Sequence, residues 1–258
     1  MDIIDINNPL AYAWDRTQGP FSENIARKIL NFEKIQGLKI NKVLDICFGS
    51  GNLMKYLSES GKYCVGIETS EEFYNYVKSK YPNLEVYKKS NMFDLEGLGK
   101  FDLITCNHDM LNNIQSLEIW KNLFQKIYDH LSNGGIFIFD YYSKNRIKNW
   151  NETNFTENFE IDVLREITSN EEFATILNNF YIHLPKDDYS TEISNSRVKK
   201  VEDVNIKYAF DNKQIFDLIK DAKFRYMIST DANFTPLPQT VENNRVRIIA
   251  IKRETVIK

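Results

Sequence analysis

No apolar run in this chain approaches the roughly 18 residues that a membrane-spanning helix requires, so no transmembrane segment is expected. Cysteine is scarce. Cys47, Cys64 and Cys106 are an odd set without the paired spacing of a disulfide framework or a zinc site. No metal centre is expected, and reduced thiols suit a cytoplasmic protein. The opening Met1-Asp2-Ile3-Ile4-Asp5 lacks the basic-then-apolar order of a secretory signal. An excess of one charge is missing too: 33 basic residues against 36 acidic ones leave a net charge of −3. Tight nucleic-acid binding normally draws on a strong basic field, so nucleic acid is not an expected partner. Internal repeats and low-complexity tracts are also absent.

What is present is the material for a sizeable core. Hydrophobic residues make up 42% and aromatics 13% of the 258 positions, which leaves aromatic side chains over for a pocket. Ile25, Ile29 and Phe32 recur at helical spacing and predict a helix over 22–35, with Ser22 as its cap. Val43 to Cys47 is an apolar run broken only by Asp45, as in a buried parallel strand. Further strands are predicted at 62–68, 84–87, 101–106 and 136–141, with helices between them. The Asn133-Gly134-Gly135 turn is expected to end the helix that carries Leu117 to Leu131. This alternation predicts an α/β, Rossmann-like, doubly wound and mainly parallel sheet with helices on both faces. The rhythm changes over 151–208, where β-type runs follow one another, with a turn at Pro185-Lys186-Asp187-Asp188. That stretch reads as an antiparallel insertion covering the active site. A last helix and two strands at 209–258 return to the core that residues 1–150 begin.

The chemistry concentrates in the first turn, Asp45-Ile46-Cys47-Phe48-Gly49-Ser50-Gly51-Asn52-Leu53. In an open α/β sheet, ligands bind beyond the carboxyl ends of the strands. Gly49 and Gly51 let the backbone approach such a ligand closely. A dinucleotide would demand a third glycine where Met54 stands. Asp45 would also repel a pyrophosphate, whereas it can accept a hydrogen bond from an ammonium group. Glu68, at the end of the second strand, can accept two hydrogen bonds from a ribose diol. A ligand with an amino-acid part and a ribose satisfies all three features, and S-adenosylmethionine is such a ligand.

In these residues the chain resembles the class I S-adenosylmethionine-dependent methyltransferases, whose first motif reads Asp-x-Gly-x-Gly-x-Gly after a hydrophobic strand. Here Cys47 stands at the first of those glycines. Glu68 matches the family's ribose ligand, and Asn91-Met92 takes the place of its adenine-contacting acid and apolar residue. Phe101 to Cys106 resembles the fourth strand. Asp109-Met110-Leu111-Asn112 is similar to the Asp-Ser-Leu-Asn of a small-molecule branch, and Leu131 to Gly135 to the turn before the fifth strand. The resemblance implies S-adenosylmethionine as cofactor, held by Tyr12, Asp45, Cys47, Gly49, Gly51, Asn52, Leu53, Glu68, Thr69, Asn91, Met92, Cys106 and Asn107. Amine-modifying enzymes of nucleobases and glutamine carry a Pro-Pro motif after the fourth strand, and cytosine-C5 enzymes carry Pro-Cys. Neither motif is found here.

On the acceptor side, His108 follows the fourth strand. Its ordinary pKa of about 6.5 suits proton removal at neutral pH, and a pocket-wall role is equally open. Tyr141 and Tyr142 end the fifth strand. One is expected to face the acceptor, catalytically in the case of Tyr141, while alternation turns the other away. Trp14, Asp109 and Asn112 complete the expected acceptor contacts. The expected reaction is methylation of nitrogen or oxygen on a small molecule, with a homodimer as a further expectation. An RNA- or protein-modifying enzyme and a non-catalytic cofactor-binding protein are the alternatives.

Overall fold

The computed structural model describes residues 7–184, 198–231, 234–237 and 244–252. The chain opens with α1 (Pro9–Gln36), β1 (Lys42–Ile46), α2 (Asn52–Glu59), β2 (Tyr63–Glu68), α3 (Glu71–Lys80) and β3 (Glu85–Lys88). It continues through β4 (Phe101–Cys106), a 3-10 turn (Met110–Asn113), α4 (Leu117–His130), β5 (Leu131–Tyr142) and the short α5 (Lys144–Lys148). Four strands follow: β6 (Glu152–Thr156), β7 (Ile161–Ser169), β8 (Phe173–His183) and β9 (Val198–Tyr208). Then come α6 (Asn212–Asp221), β10 (Tyr226–Thr230) and β11 (Arg245–Ile251).

Seven strands pair in the order β10-β11-β5-β4-β1-β2-β3. Strands β1 to β5 run parallel, while β11 is antiparallel to both β5 and β10. The expected mainly parallel, doubly wound sheet is therefore present. Strand order reverses between β1 and β4, which opens a crevice at their carboxyl ends. A second, antiparallel sheet pairs as β6-β7-β8-β9.

Strand alternation assigns the two faces of the large sheet. Phe137, Phe139 and Tyr141 of β5 join Trp120 and Phe124 of α4 and Phe216 of α6 in one core. Ile136 and Ile138 point the other way, toward Ile25 and Ile29 of α1, Met54 of α2 and Val77 of α3. Full burial of each such side chain stabilises the fold by roughly 1.5–3 kcal/mol. No helix among the described residues is long and apolar enough to cross a membrane.

Two local expectations need correction. Helix α1 begins at Pro9 rather than at residue 22, with Pro20 inside it and Ser22 far from its start. Proline ordinarily interrupts a helix because it lacks an N–H, but here tertiary contacts hold the helix on both sides of it. The Glu72 carboxylate of α3 accepts the N–H groups of Leu10 and Ala11 at 2.6 and 3.4 Å, which caps the helix start. Buried Asp15 accepts from Asn52 at 2.5 Å and from the Tyr76 hydroxyl at 2.8 Å, and it pairs with Lys80. The second correction concerns α4, which stops at His130, ahead of the glycines. Gly134 instead takes a left-handed φ of 80° and donates its N–H to Lys252 O at 2.8 Å, tying the start of β5 to the chain beyond β11. The turn expected at Pro185–Asp188 lies outside the described residues.

One amide joins the two sheets. Asn112 is fully buried. Its Oδ1 accepts the Tyr142 N–H at 2.8 Å, and its Nδ2 donates to the carbonyls of Tyr142 and Tyr208 at 3.2 and 2.9 Å. Replacing it by alanine strands three partly buried backbone groups. Asn112→Ala is expected to lower stability in urea unfolding by about 2–3 kcal/mol, the cost of unpaired buried polar groups.

Candidate active site

The turn after β1 places Cys47, Gly49 and Gly51 at φ of 56°, 56° and 76°. Cys47 thus adopts a backbone conformation that favours glycine, at the place where the resembled motif has one. Burial pushes its thiol pKa well up, so it forms a neutral wall. At Gly51 an added Cβ would lie 2.9 Å from Val77 Cγ2. At Gly66 of β2 it would lie 2.5 Å from Met54 Sδ. Close helix–strand packing is therefore achieved here with the glycine on the strand and the methionine on the helix.

Glu68 is buried at the end of β2. Its Oε2 accepts the Gly49 N–H at 3.0 Å, and its Oε1 accepts those of Thr69 and Ser70 at 2.7 and 3.0 Å. The carboxylate is thereby locked to both turns at the switch point. Asp45 lies deeper and accepts the Thr105 hydroxyl at 2.6 Å. Burial raises its pKa to about 7, against the Thr105 hydrogen bond and with a contribution from the Glu68 charge. A buried, partly ionised carboxylate favours a cationic guest. Asn107, just past β4, is buried with neither amide atom partnered among the described residues. It faces a small cavity of 20 Å³ together with Asp45, Cys47, Leu53 and His108. A buried amide left unpaired is costly, so this one points to a ligand's polar head.

Next to it lies a larger cavity of 270 Å³. Its floor is Cys47, Gly49, Ser50, Glu68, Thr69 and Phe73. One wall is Trp14, Gln18 and Ser22 of α1, and another is His108, Asp109 and Tyr142. The second sheet roofs it with Arg165 of β7, Ile176 and Asn178 of β8, and Asp203, Asn205 and Lys207 of β9.

His108 and Asp109 both sit at positive φ, 59° and 49°. His108 Nε2 lies 3.0 Å from Ser22 Oγ, and Phe21 meets its ring edge-on with centroids 4.9 Å apart. Burial, then the Arg245 charge, lowers the His108 pKa to about 4, so the ring is neutral at pH 7. Asp109 pairs with Lys207 at 2.5 Å and Arg245 at 3.0 Å. Asp140 of β5 is fully buried and pairs with Arg247 at 3.1 Å and Arg245 at 3.3 Å. It also accepts the Asp109 N–H at 2.7 Å. Burial alone would raise the Asp140 pKa, but Arg245 and Arg247 hold it at about 2.

Of the expected residues, Cys47, Gly49, Glu68, Thr69, Trp14, His108, Asp109 and Tyr142 line the larger cavity, and Asp45, Leu53 and Asn107 the smaller one. Others lie elsewhere. Tyr12 is buried in the core beneath α1. Gly51 and Asn52 pack the turn, with the Asn52 amide spent on Asp15 and Ser50. Asn91 is exposed and accepts the Phe93 N–H, while Met92 and Cys106 pack in the core. Asn112 is the clamp between the sheets. Tyr141 cannot face an acceptor: it is fully buried on the opposite face and donates to Asn212 at 2.9 Å. Its neighbour Tyr142 takes the cavity position. The roof residues and Arg245 were not anticipated. Arg245-Val246-Arg247-Ile248 in an otherwise apolar strand was a signal, since buried arginines require partners.

The chain matches the family described as the methyltransferase domain over residues 16–180. It is 28% identical over 158 residues to a protein of Geobacillus sp. (strain WCH70) whose name provisionally calls it a methyltransferase, covering 58% of this chain. The match spans 63% of that relative's own length. Among solved structures, an S-adenosylmethionine-dependent methyltransferase from Clostridium acetobutylicum has a TM-score of 0.79 at 18% identity, over 97% of this chain and 100% of that one. A sugar N-methyltransferase from Streptoalloteichus sp. has a TM-score of 0.71 at 15% identity, over 98% of this chain and 95% of that one. At such identities the likeness is one of fold.

The paired charges make a pH prediction. An aspartate in an unfolded chain titrates at about 3.9, above the folded value of Asp140, so its contribution is full at neutral pH and disappears as pH falls toward 2. Asp140→Asn is expected to cost about 3 kcal/mol or more at pH 7, because it breaks a buried pair. Urea unfolding across pH should show wild type and variant converging below pH 4.

Proposed function

The chain belongs to the methyltransferase family, and from that premise we propose that it transfers a methyl group from S-adenosylmethionine to a nitrogen or oxygen of a small polar acceptor. The observation that carries this is a single chamber with two unlike halves. Its floor holds Glu68 and the β1 turn, and opens beside buried Asp45 and unpartnered Asn107. Its roof is a separate sheet bearing polar and charged side chains. In this reading 1–150 and 209–258 form the cofactor-binding core and 151–208 the insertion that covers the active site.

The residues of the floor fit the cofactor. Glu68 would bind the ribose diol, and Asp45 and Asn107 the amino-acid head. When bound, the cofactor supplies an electrophilic methyl on a sulfonium centre. To that methyl an acceptor lone pair would bond, leaving the carbon–sulfur electron pair on sulfur. The acceptor's proton leaves to water. The protein's main contribution is alignment, which can supply on the order of 7–11 kcal/mol for a well-oriented pair. His108, neutral and tied to Ser22, orients the acceptor by hydrogen bonding. A group with a pKa near 4 is a weak base at pH 7. The roofed chamber suits a small molecule better than a polymer, and the sugar acceptor named for the Streptoalloteichus enzyme is the kind of molecule it would admit.

Calorimetry with S-adenosylhomocysteine tests the cofactor assignment. Wild type is expected to bind, and Glu68→Ala to bind at least about tenfold more weakly. Binding should also move protons. The ligand's ammonium favours ionised Asp45, so its pKa falls from about 7 and a proton is released. Affinity is therefore expected to drop below pH 7, and heats at pH 7 to differ between buffers of unlike ionisation enthalpy. Asp45→Asn should abolish that buffer dependence. Without ligand the sign reverses for stability, since a raised folded pKa gives a contribution that fades as pH rises from about 4 through 7.

A further inference from the structure

Three neighbouring strands of the roof carry one row of polar side chains. Arg165 of β7 is in register with Asn178 of β8, and Asn178 with Asp203 of β9. Paired residues on adjacent strands lie side by side on one face, and all three line the cavity. They are also bonded in series. Arg165 Nε donates to Asn178 Oδ1 at 2.7 Å, and Asn178 Nδ2 donates to Asp203 Oδ2 at 3.3 Å. Asn205 Nδ2 and Trp14 Nε1 donate to the same Asp203 oxygen at 2.7 and 3.3 Å. One oxygen of Asp203 therefore takes three donors. Among the described residues the other, Oδ1, takes none, and no lysine or arginine pairs with this carboxylate.

The cavity has two other carboxylates, and both are committed. Glu68 is held by backbone N–H groups and belongs to the floor. Asp109 is neutralised by Lys207 and Arg245. Asp203 thus presents the one carboxylate of the acceptor half with no cation in direct contact among the described residues, Arg165 reaching it only through Asn178, and it is pinned in one orientation by groups from β8, β9 and α1. Such a fixed carboxylate oxygen discriminates by charge. A protonated amine offers it a charge-assisted hydrogen bond, and a hydroxyl in the same place only a weaker one.

Resting on the methyltransferase reading above, we propose that Asp203 selects the acceptor, its Oδ1 receiving an N–H of the ammonium form of the amine, which must release one proton to water before its freed lone pair can take the methyl. The test uses the full chain saturated with S-adenosylhomocysteine and two probes, D-glucosamine and D-glucose, which exchange an amine for a hydroxyl. Calorimetry is expected to give wild type a glucosamine Kd about tenfold or more below that for glucose, the size of a charge-assisted bond. Asp203→Asn should reduce this preference to about twofold or less, with the S-adenosylhomocysteine Kd unchanged. Asp203→Glu, which retains the charge, should keep part of the preference. Equal binding of both sugars by wild type, or an undiminished preference in Asp203→Asn, overturns the proposal. Should the variant fail to fold, a crystal of wild type with glucosamine decides. An amine within hydrogen-bond distance of Oδ1 supports the assignment, and an amine elsewhere overturns it. Failure of wild type to bind S-adenosylhomocysteine at all instead overturns the underlying cofactor reading, and the proposal with it.

Discussion

Asp109 and Asp140, with Lys207, Arg245 and Arg247, form a buried charge network on which the geometry of the chamber depends. Asp140 comes from the centre of the large sheet, the arginines from its antiparallel neighbour β11, and Lys207 from the last roof strand. Asp109 joins them from the turn beyond β4. A charge moved out of water costs several kcal/mol unless it is paired, so the members are forced together. That requirement sets where the roof sits over the floor. Arg245 is also packed between the rings of Phe21 and Tyr142, with its guanidinium carbon 4.8 and 5.1 Å from their centroids. The same network therefore positions α1 and the cavity wall that carries Tyr142.

The strained turn after β4 follows from this network. Successive non-glycine residues at positive φ, His108 and Asp109, each cost on the order of 1–3 kcal/mol. The Asp109 N–H bond to Asp140 and the Asp109 ion pairs offset that cost. The result is a histidine turned into the cavity, beside Ser22, while Cys106 before it stays in the core. On the other side of the switch point, Glu68 does the equivalent work without a cation, by gathering backbone N–H groups from two turns. Asp45 is left as the carboxylate without a compensating cation beneath the floor, which is why burial and the Glu68 charge hold its pKa up.

Much of the core was legible because its signals are local. Alternating apolar runs and helical periodicity are written residue by residue, and a glycine turn after a buried strand has few other uses. The missing third glycine was also informative, though its structural counterpart was not visible: Gly66 supplies the close approach from the strand side. The start of helix α1 was misjudged because Ser22 offers a local cap signal, whereas the groups that hold the helix back to Pro9, Glu72 at its first turn and Asn52 and Tyr76 on Asp15, are distant in sequence. The two tyrosines ending β5 could be identified as alternatives but not ordered. Which face of a strand meets a pocket depends on what packs against it, and Asn212 of α6 took Tyr141.

The sequence by itself determined the sheet, its switch point, and the chemistry of the floor, since Asp45, the glycine turn and Glu68 lie within one βαβ unit whose geometry is local. Only the tertiary structure decided the roofed half of the cavity. Arg165, Asn178 and Asp203 look like ordinary polar positions on amphipathic strands. They become a row only through strand register, and they line a cavity only because buried charges pull that sheet over the floor. The turn after β1, legible from the start, thus turns out to be half of a chamber. The other half is set by pairings between residues far apart in the chain.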